Sequence, residues 1–392
     1  MIQSINGVEK VQVFGIEITK DALTERISRM EVRMGSDTMY DFTLVGQNRL
    51  ESRNVVLLKT KKGCIIAERI GTVQGKGAFM GAVKVNTYSV SKNKHKFRTS
   101  KLFLEPCGGF SLQVRLTQDN LTPYKKVLNH NVLVTRIHQN GKMTGVVQPY
   151  LISYGHGNEI GLHMECYFGS LDHCISPHDR PHEPAKIKFT LPTILLGFLD
   201  VLEGVKRMHE VGVLQGDIKP GNILYKTYKF SLCDFDGSIT KEKIQEKIQN
   251  DDIYDTLPTA TPLYLNFYDI EELNKALKEK NAAKLIQIFE KHDIYCTGKS
   301  MFEVIIGKEK KWGVTSNKGT SLKITTSLND CKQFYENIQT ELKKSGCPEK
   351  LIDLIILMVE PNYKNRPSAE TALQLLNEII EEYVWKVDEK CL

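Results

Sequence analysis

A long amphipathic helix pattern at the centre of the chain most constrains what it can fold into. Apolar side chains recur every three or four residues over Leu191–Glu210, which is the spacing of one helix face. Thr190 can cap this helix, and Pro192 lies in its first turn, where a missing N–H costs no hydrogen bond. Helical spacing predominates from about residue 168 onward, whereas the sequence between about 66 and 167 predicts strands interrupted by glycine and charge.

Two short apolar runs after this helix carry four polar side chains that suit one chemistry. These side chains are Asp217, Lys219, Asn222 and Asp234. Phosphoryl transfer from ATP needs a carboxylate for the acceptor proton, a cation for phosphate charge, and amide and carboxylate oxygens for Mg²⁺. Asp and Asn are also common in loops for their turn chemistry, which a lone D-x-K-x-x-N would favour. Because Asp234 ends the next apolar run, the combination favours catalysis.

The same residues resemble the catalytic segments of the eukaryotic-type serine/threonine protein kinase family. The resemblance implies that Asp217 is the catalytic base and that Lys219 contacts the transferred phosphate. It also implies that Asn222 and Asp234, the latter in a segment similar to D-F-G, bind the metal ion. The matching blocks follow the family's order from about residue 66 to residue 380.

Three departures from the family pattern have consequences of their own. The family's His-Arg pair before the base is Gln215-Gly216 here, so we predict activity that does not depend on phosphorylation. The glycine of D-F-G is Asp236. In the family, a helix Glu pairs with the nucleotide-binding lysine, for which Lys101 is the candidate here. The predicted helix at 121–139 contains no Glu, and Asp119 or Gln118 is the nearest polar substitute.

Blocks further along the chain extend the resemblance. Asp293–Gly298 resembles the start of the family's central buried helix, and Arg366–Ala369 resembles its closing helical segment. Ala260–Tyr264 resembles the substrate-side G-T-x-x-Y. The A-P-E that should follow is replaced by Asn266-Phe-Tyr-Asp, so the carboxylate partner of the closing arginine must lie elsewhere, and Glu271 is our candidate.

A glycine-rich stretch near residue 75 resembles the strand–turn–strand that covers ATP phosphates in this family. Glycines let backbone N–H groups approach phosphate oxygens closely. The residues implied to contact the nucleotide here are Gly75, Gly77, Gly81 and Val83. Their spacing carries one residue more than G-x-G-x-x-G, and glycine clusters often mark simple turns. Lys96–Leu104 is similar to the third strand, which implies that Lys101 contacts the α- and β-phosphates.

His163–Leu171 resembles the last strand of the small lobe and the hinge after it. Met164 then occupies the gatekeeper position, and the backbone of Glu165 and Cys166 faces adenine. The resemblance thus implies an α+β, two-lobed protein-kinase-like fold with a β-rich N-lobe and a mainly helical C-lobe. We expect an N-terminal extension at 1–65 packed on the N-lobe, the N-lobe and hinge at 66–167, and the C-lobe at 168–392.

Composition limits the partners and the compartment. The formal net charge of +6 is too weak to indicate nucleic acid, and no apolar run reaches the roughly 18–20 residues of a membrane span. The nine cysteines are scattered and never in C-x-x-C spacing, which indicates reduced thiols in a cytoplasmic compartment. The extension at 1–65 could dock a regulatory partner.

Three functions follow, in different classes. The leading hypothesis is a kinase that uses ATP with Mg²⁺, or with Mn²⁺, to phosphorylate Ser/Thr hydroxyls of proteins. Gln-Gly-Asp and Asp-Phe-Asp favour a small-molecule kinase of the aminoglycoside or choline type, but Lys219, Asp293–Gly298 and Arg366 favour a protein kinase. The missing helix Glu and the altered glycine spacing favour a non-catalytic pseudokinase scaffold. A scaffold, however, has no physical need for all four catalytic-loop and metal positions.

Overall fold

The computed structural model of the chain describes strands in its first part and most residues from 187 onward. The described residues are 2–5, 8–13, 16–19, 32–34, 37–43, 55–60, 63–76, 81–93, 96–98, 110–115, 133–134, 136–138, 145–147, 149–155, 159–164, 167–175, 187–235, 237–250, 264–309, 315–316, 322–323 and 328–383. Side chains are described for 133–134, 136–138, 145–147, 167–175, 187–235, 237–250, 264–266, 268–309 and 336–383.

The chain divides into two compact units. The first comprises Met1–Leu128 and Gln148–Tyr167, and its described elements are strands. The second comprises Asn129–Val147 and Phe168–Leu392 and is mainly helical. This division into a strand unit and a helical unit confirms the α+β fold. The predicted domain boundaries at 65 and 167 stay predictions.

Twenty strands are described. They are β1 Ile2–Ile5, β2 Val8–Val13, β3 Ile16–Thr19, β4 Val32–Met34, β5 Asp37–Thr43, β6 Val55–Thr60, β7 Gly63–Lys76, β8 Gly81–Asn93, β9 Lys96–Arg98, β10 Phe110–Arg115, β11 Gly145–Val146, β12 Pro149–Gly155, β13 Glu159–Met164, β14 Gly169–Ser170, β15 Val213–Leu214, β16 Ile223–Lys226, β17 Lys229–Leu232, β18 Ile239–Thr240, β19 Thr315–Ser316 and β20 Leu322–Lys323.

The first unit contains a three-stranded sheet, β1-β2-β3, and a larger sheet. The larger sheet has the order β12-β13-β10-β8-β7-β6-β5-β4, with β9 paired to β8. The two strands of the predicted glycine-rich strand–turn–strand are present as β7 and β8, which are antiparallel with Lys76 opposite Gly81. Register shifts between Arg69 and Gly75 interrupt the pairing near the end of β7.

The third strand of this unit differs from the sequence prediction. Of the predicted run Lys96–Leu104, β9 covers only Lys96–Arg98, and it pairs with the far end of β8. The strand between β8 and β13 is instead β10, Phe110–Arg115. Both runs are short and equally β-like, and periodicity alone cannot tell which of two such runs pairs on both edges. The predicted position of the third strand was therefore wrong.

The described part of the second unit is built from helices and three small sheets, β11-β17-β16-β14, β15-β18 and β19-β20. The helices are α1 Asp172–Ile175, α2 Leu191–Glu210, α3 Lys241–Gln249, α4 Phe267–Lys278, α5 Ala282–Ile306, α6 Leu328–Lys344, α7 Glu349–Met358 and α8 Ala369–Tyr383, with single 3₁₀ turns at Pro220–Asn222 and Tyr363–Asn365. Helix α2 has the predicted bounds, and Thr190 Oγ1 accepts a hydrogen bond from the Thr193 N–H at 3.4 Å. Among the described residues, no helix is long and apolar enough to cross a membrane.

Helix α5 is the central helix of this unit, and it packs against α2, α4 and α7. Its residues from His292 to Val304 are all buried. Gly298 lets α7 approach closely, because a Cβ there would lie 2.7 Å from the Cβ of Met358. The predicted start at Asp293 was wrong: the helix begins at Ala282, capped by Asn281, because a run of good helix formers extends it upstream.

Candidate active site

A β-hairpin places two of the predicted site residues at one end. Strands β16 and β17 are antiparallel, with Ile223 opposite Leu232. Asn222 directly precedes β16, and Asp234 lies two residues beyond β17. The Cys233 N–H donates to the Asn222 carbonyl at 2.9 Å, which continues the ladder past the strands. Asn222 therefore faces Cys233 across the hairpin, and Asp234 follows Cys233 at the same open end.

The carboxylate of Asp217 is the centre of the loop before this hairpin. Its Oδ2 atom accepts hydrogen bonds from Lys219 Nζ at 2.7 Å and from Asn222 Nδ2 at 3.1 Å. The Asn222 amide also donates to the Asp217 carbonyl at 2.9 Å. Because the amide nitrogen faces Asp217, the amide oxygen faces the other way and is the atom that can ligate a cation. The structure thus brings Asp217, Lys219 and Asn222 into one hydrogen-bonded group.

The fully buried Asp293 of α5 fixes the backbone of this loop. Its Oδ1 atom accepts from the Gly216 N–H at 2.8 Å, and its Oδ2 atom accepts from the Gln215 N–H at 3.2 Å. Oδ2 also lies 3.0 Å from His209 Nε2. Gly216 has φ +77°, a left-handed conformation that glycine adopts without strain. One carboxylate therefore holds the two residues that precede Asp217.

Gln215 links the loop to the segment that carries Asp234. Its Nε2 atom donates to the Cys233 carbonyl at 2.9 Å, and the Gln215 backbone carbonyl accepts from the Ser238 hydroxyl at 3.4 Å. Asp234 has φ +62° and is exposed, while the next residue, Phe235, is fully buried. A non-glycine residue in this region costs about 1–3 kcal/mol and persists only where its surroundings fix it. Here the Cys233 bond and the buried Phe235 ring fix it on both sides.

The donor set at the hairpin end fits Mg²⁺. This ion commonly takes one or two protein oxygens together with phosphate oxygens and water. Asn222 can offer an amide oxygen and Asp234 a carboxylate there. In the part of the chain with described side chains, no group of three or more His, Cys, Asp or Glu residues could hold a metal ion.

Arg366 pairs with Asp269, and the sequence-based candidate Glu271 was wrong. The guanidinium makes two hydrogen bonds to the Asp269 carboxylate, at 2.8 and 2.9 Å, and both side chains are buried. Burial alone would raise the pKa of Asp269, but Arg366 and His292 outweigh it and hold the pKa below its ordinary value. Glu271 is exposed, because α4 turns Asp269 toward the core and residue 271 toward solvent.

The predicted nucleotide contacts of the first unit are placed only in part. Gly75 lies in β7, Gly81 and Val83 lie in β8, and Met164 is the last residue of β13, opposite Phe110. Gly77, Lys101, Glu165 and Cys166 lie outside the described residues, as does Asp236. The role of each of these residues stays a prediction.

Sequence reasoning missed three features of the site. It did not foresee the link from Gln215 to Cys233, the clamp by Asp293 or the partner Asp269. For Asp293, the similarity of its block to the family's central helix was a usable signal. For Asp269 the signal was its position in the very segment that replaces A-P-E.

Comparison with known proteins agrees with this geometry. The chain matches the family model described as protein kinase domain over residues 125–376, a range that contains every site residue of the second unit. It is also 25% identical over 188 residues to the probable serine/threonine-protein kinase 2 of Autographa californica nuclear polyhedrosis virus, which covers 47% of this chain and 71% of that protein. Since the family model spans more than half of the sequence, the chain belongs to the protein kinase family and is a phosphotransferase.

Proposed function

We propose that this protein kinase uses ATP and Mg²⁺, or Mn²⁺, to phosphorylate Ser/Thr hydroxyls of proteins. The observation that carries the proposal is the group formed by Asp217, Lys219 and Asn222, with Asp234 beside it at the hairpin end. A carboxylate, a cation and two oxygen ligands are the side chains that phosphoryl transfer requires.

Asp217 is the proposed catalytic base. Its partly buried carboxylate can orient an acceptor hydroxyl and accept its proton as the oxygen attacks phosphorus. Lys219 Nζ lies 2.7 Å from the same carboxylate, so its ammonium group is beside the proposed base and can offset charge on the transferred phosphoryl group. The clamp from Asp293 keeps this loop in place during the reaction.

Asn222 and Asp234 are the proposed metal ligands. A bound Mg²⁺ would neutralise charge on the triphosphate. The chain's own contribution is orientation. The hydrogen bonds from the Asn222 amide to Asp217 fix the Asn222 side chain, and Asp234 is exposed at a backbone φ of +62°.

The first unit is proposed to supply the remaining nucleotide contacts. The residues are Gly75, Gly77, Gly81 and Val83 for the phosphates and sugar, Lys101 for the α- and β-phosphates, and Met164, Glu165 and Cys166 for adenine. Their support is the resemblance of the sequence and, for the glycine stretch, the β7–β8 pairing. For Lys101 the support is the resemblance of its segment alone, because β10 occupies the position of the third strand.

A serine or threonine acceptor in a protein is supported by two observations. Lys219 resembles the lysine of serine/threonine kinases, and the viral relative carries that description in its name. The family match over 125–376 favours protein acceptors over small alcohols. Two further parts of the proposal, a cytoplasmic location and a regulatory partner docked on residues 1–65, rest on the sequence alone.

The test is transfer of labelled phosphate from ATP to a panel of peptides and small alcohols. We expect transfer to Ser/Thr peptides, and an Asp217→Asn variant should lose about 10²–10⁴-fold in kcat, the range that a general base contributes. Asp353→Asn is the matched control, because Asp353 is an exposed aspartate of α7. Near-normal kcat in Asp217→Asn, or turnover of small alcohols alone, would contradict the proposal.

A further inference from the structure

A buried polar stripe runs along one face of the central helix. Cys296, Lys299 and Glu303 follow the i, i+3, i+7 spacing of a single helix face, and all three are fully buried. Lys and Glu are almost never fully buried unless they are paired. Here Lys299 Nζ lies 3.3 Å from Glu303 Oε1, so the stripe contains its own ion pair.

All three residues of the stripe contact Tyr264. The Cys296 thiol donates to the Tyr264 carbonyl at 3.7 Å, and Lys299 Nζ lies over the Tyr264 ring, 3.6 Å from its centroid. The Tyr264 hydroxyl donates a hydrogen bond to Glu303 Oε2. The carbonyl, the ring and the hydroxyl of one tyrosine are therefore each fixed by a different residue of α5.

Electrostatics makes these contacts strong. A desolvated ammonium over an aromatic ring is attracted by the ring's quadrupole, and a hydroxyl donating to a carboxylate makes a charge-assisted hydrogen bond. Burial raises the pKa of Tyr264, and Glu303 raises it further, so the hydroxyl keeps its proton and remains a donor. Tyr264 is neutral and cannot compensate the negative charge of Glu303, so Lys299 provides that compensation.

Tyr264 lies where the segment similar to G-T-x-x-Y enters helix α4. Two residues later, Asn266 caps α4 by accepting from the Tyr268 N–H at 2.9 Å, and Asp269 ties the helix to Arg366. The chain from Tyr264 to Asp269 is thus anchored at three points. Tyr264 is the last residue of Ala260–Tyr264, the stretch that resembles the substrate-side segment, so these contacts hold the final residue of that stretch.

We propose that Lys299 is a positioning residue for the protein substrate, which acts by holding Tyr264 and, through it, the end of the substrate-side segment. The inference rests on the proposed function, since it assigns the acceptor side of the same reaction. Lys299 touches neither reactant. Its loss should therefore weaken the use of the acceptor peptide and leave the use of ATP unchanged.

The test is a double variant, Lys299→Met/Glu303→Gln, which removes both charges and keeps the side-chain volumes. The glutamine can still accept the Tyr264 hydrogen bond, so no buried charge is left without a partner. We expect the KM for an acceptor peptide to rise about tenfold, the size of losing a desolvated cation–ring contact. The KM for ATP should stay within about twofold, which is the spread expected for a site that loses no contact.

Ser300→Ala is the matched control, because the hydroxyl of this buried neighbour donates within its own helix, to the Cys296 carbonyl at 2.7 Å. Tyr264→Phe, which keeps the ring and loses only the hydroxyl, gives a second measurement if the double variant does not fold. It too should raise the peptide KM and leave the ATP KM unchanged. Amide hydrogen exchange should become faster in peptides that cover residues 257–266 and should not change in α5.

The outcomes separate the two proposals. Unchanged peptide KM and unchanged exchange at 257–266 in an active enzyme overturn the positioning role and leave the proposed function intact. Equal changes in both KM values also overturn it, because they indicate general damage. A wild-type chain that transfers phosphate to no peptide overturns the proposed function and, with it, the substrate role of Lys299.

Discussion

Removing the carboxylate of Asp269 should destabilise the second unit more than any change on the exposed face of the same helix. Asp269→Ala leaves the Arg366 guanidinium buried, with backbone carbonyls of Glu360, Lys291 and Pro361 as its remaining acceptors. Those acceptors are neutral, so the charge is no longer compensated. Breaking a buried ion pair from one side costs about 3–5 kcal/mol.

For a unit of this size, each kcal/mol corresponds to about 2–4 °C in Tm, so the variant should melt roughly 6–20 °C below the wild type. Urea unfolding followed by far-UV circular dichroism measures the same loss as a free energy. Glu271→Ala is the control, and its exposed position predicts a change within about 0.5 kcal/mol. In a double-mutant cycle, Asp269→Ala/Arg366→Met should cost less than the sum of the single changes. An Asp269→Ala variant no less stable than Glu271→Ala would refute the pairing.

Two further changes test the buried network and the loop. His292 lies 3.5 Å from Asp269 and 3.3 Å from the Cys296 thiol. Burial alone would lower the pKa of His292, but Cys296 and Asp269 outweigh burial and hold this pKa well above 6.5. A group whose pKa is raised by folding contributes its full stabilisation below about pH 6.5 and loses it as pH rises through the folded-state pKa. His292→Gln should therefore flatten the fall in unfolding free energy that the wild type shows above pH 6.5. An unchanged slope would contradict this. Gly216→Ala forces a residue with a side chain to adopt φ +77°. The change should lower the free energy of unfolding by about 1 kcal/mol and lower kcat by displacing Asp217. An alanine variant with wild-type stability and kcat would show that the loop does not need this geometry.

Local signals in the sequence predicted the elements that depend on local physics. Thr190, Pro192 and the apolar spacing after them were sufficient to place α2, because caps and periodicity act within one helix. The two short apolar runs after α2 were also identified from the sequence, and they form β16 and β17, although their antiparallel pairing was not predicted.

Features that depend on the packing of distant elements could not be predicted. Asp269 and Glu271 lie two residues apart on one helix, and which of them faces Arg366 depends on where α4 begins and how it packs on α5. The start of α5 was missed for a different, local reason: the cap at Asn281 and the helix formers after it lie outside the block that carries the family pattern. Lys299 and Glu303 look like surface residues in the sequence, because only their mutual contact and Tyr264 make burial tolerable.

The binding of ATP in the presence and absence of Mg²⁺ tests the proposed site most directly. Isothermal titration should give tight binding to the wild type only when Mg²⁺ is present. Asp217→Asn should keep this dependence, since Asp217 is assigned to the acceptor, and Asp234→Asn should lose it, since Asp234 is assigned to the metal. An ATP affinity that ignores Mg²⁺ in the wild type, or that keeps its full Mg²⁺ dependence in Asp234→Asn, would contradict the account.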